Sequence, residues 1–222
     1  MPLYVIILIV AVVLIIGWQL HQRDRRRVHE CLRKQAARLN GKVRPATLFT
    51  YPQLYFRYQD VEVLVSAMPG SSGHGRARPP TAFAQFYFEI YPEYVFRIRN
   101  KSVQTMIEKM LGLRDLQTGN SRFDDHFVVQ SNDEDFIRHL LTSEIQNKLL
   151  EFNPAHGLDI SFQKTTLYRE GRLVFGVERP RLDVTIEKIA TEDQDYHRLI
   201  TTATIFCDRL RILAETNETS GP

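Results

Sequence analysis

The sequence predicts an α+β fold carried on an N-terminal transmembrane helix, on the strength of three features. Leu3 to Leu20 is an apolar run without a charge, the middle of the chain holds clusters of segments with period-two alternation, and the chain closes on a long helical stripe. Strands and helices come in clusters without strict strand–helix–strand alternation. The expected architecture is therefore an antiparallel sheet with helices packed on one face and a C-terminal helix closing the core.

The first element is the run LYVIILIVAVVLIIGWQL. As a helix it spans about 27 Å, enough for the hydrocarbon core of a bilayer. Tyr4 and Trp18 lie near its two ends, where aromatic rings favour the lipid–water interface. No basic segment precedes the run and no small-residue cleavage site follows it, which argues against a cleaved signal peptide. Arg23, Arg25, Arg26 and Arg27 follow directly and favour retention of that end in the cytoplasm. The expected topology is single-pass, N-terminus outside and C-terminal domain inside. Its divisions are an anchor over 1–20, a basic juxtamembrane helix over 21–41, a cytoplasmic domain over 42–215 and a disordered tail over 216–222.

Charge is concentrated in one place. Between Arg23 and Arg44 nine Lys/Arg residues face only Asp24 and Glu30, whereas the remaining segments carry 20 basic and 24 acidic residues. The basic balance thus belongs to a collar beside the membrane, and no nucleic-acid partner is expected. Arg23, Arg25, Arg26 and Arg27 are the candidate contacts to anionic lipid. From Gln19 to Asn40 a helix is expected, with Val28, Leu32, Ala36 and Leu39 on one narrow stripe and Gly41 as its C′ residue. The expected role is a stop-transfer signal and spacer, with lipid sensing or self-association through the stripe as alternatives. Cys31 and Cys207 form no metal spacing, redox pair or disulfide framework.

Strands are expected at 54–58 and 61–65 around a Gln59-Asp60 turn, and at 86–90 and 94–98 around Pro92-Glu93. Residues 68–80 (MPGSSGHGRARPP) read as a mobile hairpin tip, with His74, Arg76 and Arg78 as a candidate ligand or partner loop. A helix is expected over 102–113 and a strand over 127–130. Two short helices follow, with capping boxes at Ser131/Glu134 and Ser143/Gln146. Three strands around 158–162, 173–177 and 182–186 include a tight turn at Arg169-Glu170-Gly171. The last helix runs from about Thr191 to Ala214, with Tyr196, Leu199, Ile200, Ala203, Phe206, Leu210 and Leu213 on its apolar face.

No candidate chemistry assembles from these elements. On a strand, Asp124 and His126 would share a face but lack a third ligand. Asp133-Glu134-Asp135 suits a helix N-terminus, and the glycines at 70, 73 and 75 match neither phosphate-binding motif. No catalytic residue, metal or cofactor is assigned.

Residues Phe123, Asp124, Phe127, Val129, Ser131 and Asp133, followed by Leu140-Leu141-Thr142, fit the pattern F-[D/E]-x-x-F-x-V-x-[S/G]-x-D … L-L-T. The segment Leu116 to Glu178 thereby resembles a domain of bacterial membrane-anchored proteins of unknown function. Ser143 stands where that group often has Pro, and Thr118-Gly119-Asn120 replaces its T/S-G-D. The resemblance implies a bacterial inner-membrane location and transfers no activity. The functional expectation is a non-catalytic protein-interaction module of a membrane-associated assembly, with a protein partner or self-association and lipid contact through the anchor. The alternatives are a membrane-proximal hydrolase-like enzyme and an anionic-lipid or phospholigand sensor.

Overall fold

The computed structural model describes residues 3–47, 50–73, 76–78, 80–89, 94–101, 114–152, 157–169 and 172–219. In chain order its elements are α1 (Leu3–Leu39), β1 (Lys42–Arg44), β2 (Gln53–Tyr58), β3 (Val61–Met68), β4 (Ser71–Gly73), β5 (Arg76–Arg78), β6 (Thr81–Tyr87), β7 (Phe96–Asn100) and β8 (Arg114–Leu116). They continue with α2 (Ser121–His126), β9 (Phe127–Ser131), α3 (Glu134–Leu140), α4 (Ser143–Leu150), β10 (Leu158–Arg169), β11 (Arg172–Ile186) and α5 (Asp193–Thr219). Nine strands form one sheet in the order β1-β2-β3-β6-β11-β10-β7-β9-β8, with every neighbouring pair antiparallel. The helices pack on one face, as the sequence predicts.

That face is built by alternation. Leu54 and Phe56, then Val63 and Val65, then Ala84 and Phe86 point inward from three adjacent strands, and Leu182, Val184, Ile160, Phe162, Phe96 and Ile98 continue the layer. Above it lies the stripe of α5, in which Tyr196, Leu199, Ile200, Ala203, Phe206 and Leu210 are buried and Leu213 is partly so. An aromatic cluster centres on Phe96, whose ring lies 6.2 Å from Phe136, 5.9 Å from Phe162 and 6.2 Å from Phe206. The opposite face carries ion pairs and hydrogen bonds among its side chains. Arg97 Nε donates to Asp159 Oδ1 at 3.0 Å, and Arg181 and Gln85 both donate to Asp183.

Several expected elements change partners or limits. The β2–β3 hairpin forms as predicted, with Gln59 at φ +53° in its turn. The expected hairpin between strands near 86–90 and 94–98 does not, because β6 pairs with β3 and β11 while β7 pairs with β10 and β9. Its Pro92-Glu93 turn and the helix expected over 102–113 lie outside the described residues.

The segments around 173–177 and 182–186 are one strand through Pro180. The Pro180 carbonyl accepts from Phe88 N at 3.0 Å just beyond the last β6–β11 pair, so the missing N–H sits where that ladder has already ended. Residues 170 and 171 of the expected turn are not described, but Arg169 pairs with Arg172 across it.

The helix caps shift by one or two residues. Asp133 caps α3 by accepting from Phe136 N at 2.8 Å, and Thr142 caps α4 by accepting from Ile145 N at 3.4 Å. Ser131 instead ends β9 and donates to the Val95 carbonyl. Asp124 and His126 lie on α2 rather than on a strand. Asp124 accepts from Thr118 N, Thr118 Oγ1 and Gly119 N and so closes the turn before the helix. His126 Nδ1 bonds back to the Arg122 carbonyl of its own helix. Finally, α5 continues to Thr219, into the segment expected to be a tail.

Candidate functional site at the anchor–domain junction

α1 is one helix of 37 residues, about 55 Å long. Its N-terminal half is long and apolar enough to cross a membrane, and none of that window is buried against the protein. Tyr4 and Trp18 are both exposed on it. Its C-terminal half is not a spacer. Val28 and Leu32 are fully buried, and Ala36 and Leu39 pack against the core, because a repeat of about 3.6 residues keeps one stripe over β2, β3 and α5.

Polar contacts hold the same junction. Gln35 Nε2 donates to Asp193 Oδ1 at 2.7 Å, Arg38 pairs with Asp193 at 3.0 Å, and the Cys31 thiol reaches the Thr191 carbonyl at 3.4 Å. Nearer the apolar half of α1, His21 meets the Tyr51 ring edge-on at 5.5 Å. The helix ends with Asn40 in the left-handed region at φ +51° and with Gly41 N donating to the Ala36 carbonyl. That bond is the outer bond of a Schellman turn, so Asn40 takes C′ and Gly41 takes C″, one place later than expected.

Gly41 is needed for a different reason than helix termination. A Cβ there would lie 2.7 Å from Leu54 Cδ1 and 3.0 Å from the Tyr55 carbonyl oxygen. Gly41→Ala is therefore expected to cost about 1–3 kcal/mol of stability, read as a lower denaturation midpoint in urea.

The four collar arginines separate. Arg23, Arg26 and Arg27 are exposed, but Arg25 is 6% exposed and lies on the buried stripe one turn before Val28. Its guanidinium donates to the Thr50 carbonyl, while its Nε has no partner. Arg25 therefore leaves the set of lipid-contact candidates. The Tyr196 hydroxyl is also buried without a partner, and burial holds it neutral, well above its ordinary range. Burial also raises the Cys31 thiol, with Asp193 adding to the effect, and pushes Cys207 up to about 12. Both cysteines are thus buried, protonated thiols.

Of the candidate loop residues, His74 lies outside the described set, and Arg76 and Arg78 occupy alternate positions on β5. β4 and β5 form a separate two-stranded ribbon between β3 and β6. Among the described residues no three His, Cys, Asp or Glu side chains could hold a metal together. A shallow cavity of about 160 Å³ lies between α4 and α5, lined by Lys148, Glu151, Phe152, His197, Arg198, Thr201 and Thr202. It is smaller than the usual small-molecule site, and Lys148 is already paired with Glu151 at 2.8 Å.

The arrangement defines a class: one helix, long and apolar enough in its first half to cross a membrane, continuing without a break into the core of an α+β domain. The chain belongs to the family described as "Protein of unknown function (DUF3137)", whose model matches residues 84–204 and so encloses Leu116 to Glu178. Among solved structures it is similar to the crystal structure of the mycobacterial trehalose monomycolate transport factor A, TtfA. That match has a TM-score of 0.54 at 10% identity and covers 85% of this chain and 95% of that chain. At that identity the likeness is one of fold. No curated protein matches the chain.

Proposed function

We propose that this protein is a non-catalytic interaction module of a membrane-associated assembly, tethered by α1 with its domain on the cytoplasmic side. The observation that carries the reading is an arm made by β10 and β11. β7 pairs only with Asp159–Phe162 of β10, and β6 only with Arg181–Ile186 of β11. Beyond those positions the two strands run on together to Arg169 and Arg172, with a register shift between Thr166 and Tyr168, and no described strand lies on either outer edge.

A two-stranded ribbon is marginal in water on its own, and the outer edge of such a ribbon is a template for an added strand. The arm leaves the sheet at the end opposite α1's entry, where a partner could reach it. The likeness in fold to a mycobacterial trehalose monomycolate transport factor is compatible with that reading.

The test places a photocrosslinking residue at Thr165 or Val174 of the full-length protein in its native membranes, with a second at Asp60 on the β2–β3 turn. A stoichiometric protein partner captured from the arm positions, and lost on Pro substitution at Val174, is expected. Recovery of lipid and self-contacts alone would remove the reading.

A further inference from the structure

The end of the sheet that faces the bilayer carries a second structure besides the anchor. Toward the membrane, α1 descends along β2: Gly41 lies against Leu54 to Phe56, Arg25 against Thr50, and His21 against Tyr51. Ser66 Oγ of β3 donates to the Pro52 carbonyl at 2.8 Å, so β3 ends on that same side. Met68, Pro69 and Gly70 are exposed there. Outside α1, Met68 and Ile212 are the large hydrophobic residues exposed among the described residues, and Met68 is 50% exposed.

The β4–β5 ribbon then continues the β3–β6 hairpin beyond the sheet, with Ser71 paired to Arg78 and Gly73 to Arg76. The five residue steps of extended chain from Met68 to Gly73 reach about 16 Å. The apolar run of α1 ends at Leu20, one residue before the His21 that touches Tyr51, and a headgroup layer is only about 5–8 Å deep. The ribbon is therefore long enough to meet it. Its two arginines occupy alternate positions of one strand, hence one face, and the exposed Arg23, Arg26 and Arg27 flank the same level.

We propose that the β3–β6 hairpin end is a second membrane contact, with Met68 and Pro69 at the interface and Arg76 and Arg78 against anionic headgroups. The occupant is an anionic bilayer, because the chain enters the bilayer from this end and the charges brought to it are basic. Anchor and ribbon together give the domain two points of attachment and so one face toward the lipid.

The proposal rests on Leu3–Leu20 spanning the bilayer, and the experiment separates the two. Full-length protein is placed in phosphatidylglycerol–phosphatidylcholine vesicles and labelled with an environment-sensitive fluorophore at Ser72→Cys or, as control, at Asp60→Cys. Cys31 and Cys207 are buried and stay unlabelled in the native protein. Asp60 has a side chain 92% exposed and lies at the opposite end of β3.

Shallow spin-labelled lipid is expected to quench the Ser72 label about two-fold more strongly than the Asp60 label, and Arg76→Glu with Arg78→Glu is expected to remove that excess. Trp18, the single tryptophan, reports the anchor independently through its own quenching. Equal quenching at 72 and 60 with Trp18 quenched would overturn the ribbon contact and leave the anchor standing. An unquenched Trp18 would overturn both. An excess at 72 that survives the charge reversal would overturn the assignment to anionic headgroups.

Discussion

A fragment beginning at Lys42 is expected to lose cooperative unfolding, whereas one beginning at His21 keeps it. Removing the second half of α1 takes away the fully buried Val28 and Leu32 and uncovers the parts of β2, β3 and α5 they pack on. Two buried aliphatic side chains alone are worth about 3–6 kcal/mol, which is comparable to the whole stability margin of an ordinary domain. The loss of the Gln35 and Arg38 contacts to Asp193 adds to this at the start of α5. Near-ultraviolet circular dichroism and thermal melts of the two fragments measure the difference. Equal sharp transitions would mean that the stripe of α1 only covers the domain and does not complete it.

Phe96→Ala is expected to destabilise the domain by about 3–5 kcal/mol, the largest effect of a single substitution in the sheet. Phe96 is fully buried, and its ring touches rings from α3, β10 and α5, so truncation opens a hole bounded by three elements that cannot all close in. Tyr94 stacks on Phe136 at 4.1 Å and stiffens one wall of that hole. Urea unfolding followed by intrinsic fluorescence reads the loss. A change below about 1 kcal/mol would show that the cluster repacks freely.

Local pattern and long-range partnership were legible to different degrees. The period-two runs at 54–58 and 61–65, the short strand at 127–130 and the helical stripe of α5 are local signals, and each became the element it indicated. Which strand lies beside which is a long-range matter. Pro92-Glu93 suggested a local hairpin, yet two strands from the C-terminal half insert between β6 and β7. The sequence predicts two strands around 173–177 and 182–186, yet they are one strand that runs through Pro180. The proline is tolerated where the neighbouring strand has already ended.

The junction shows the same limit. Val28, Leu32, Ala36 and Leu39 were visible as a stripe, but no local feature says whether a narrow stripe meets water, a second copy or its own sheet. Arg25 was grouped with its neighbours by charge, and only the packed helix separates it from them.

A helix with no break between its apolar segment and the core also acts as a ruler and a dial. Each residue inserted between Leu20 and Val28 would raise the domain by about 1.5 Å and turn it by about 100° around the membrane normal. A single inserted alanine would thus swing the distal arm to another azimuth, while four would nearly restore its bearing at a height about 6 Å greater. The length of this helix therefore sets both the height and the bearing of the domain relative to its own apolar segment.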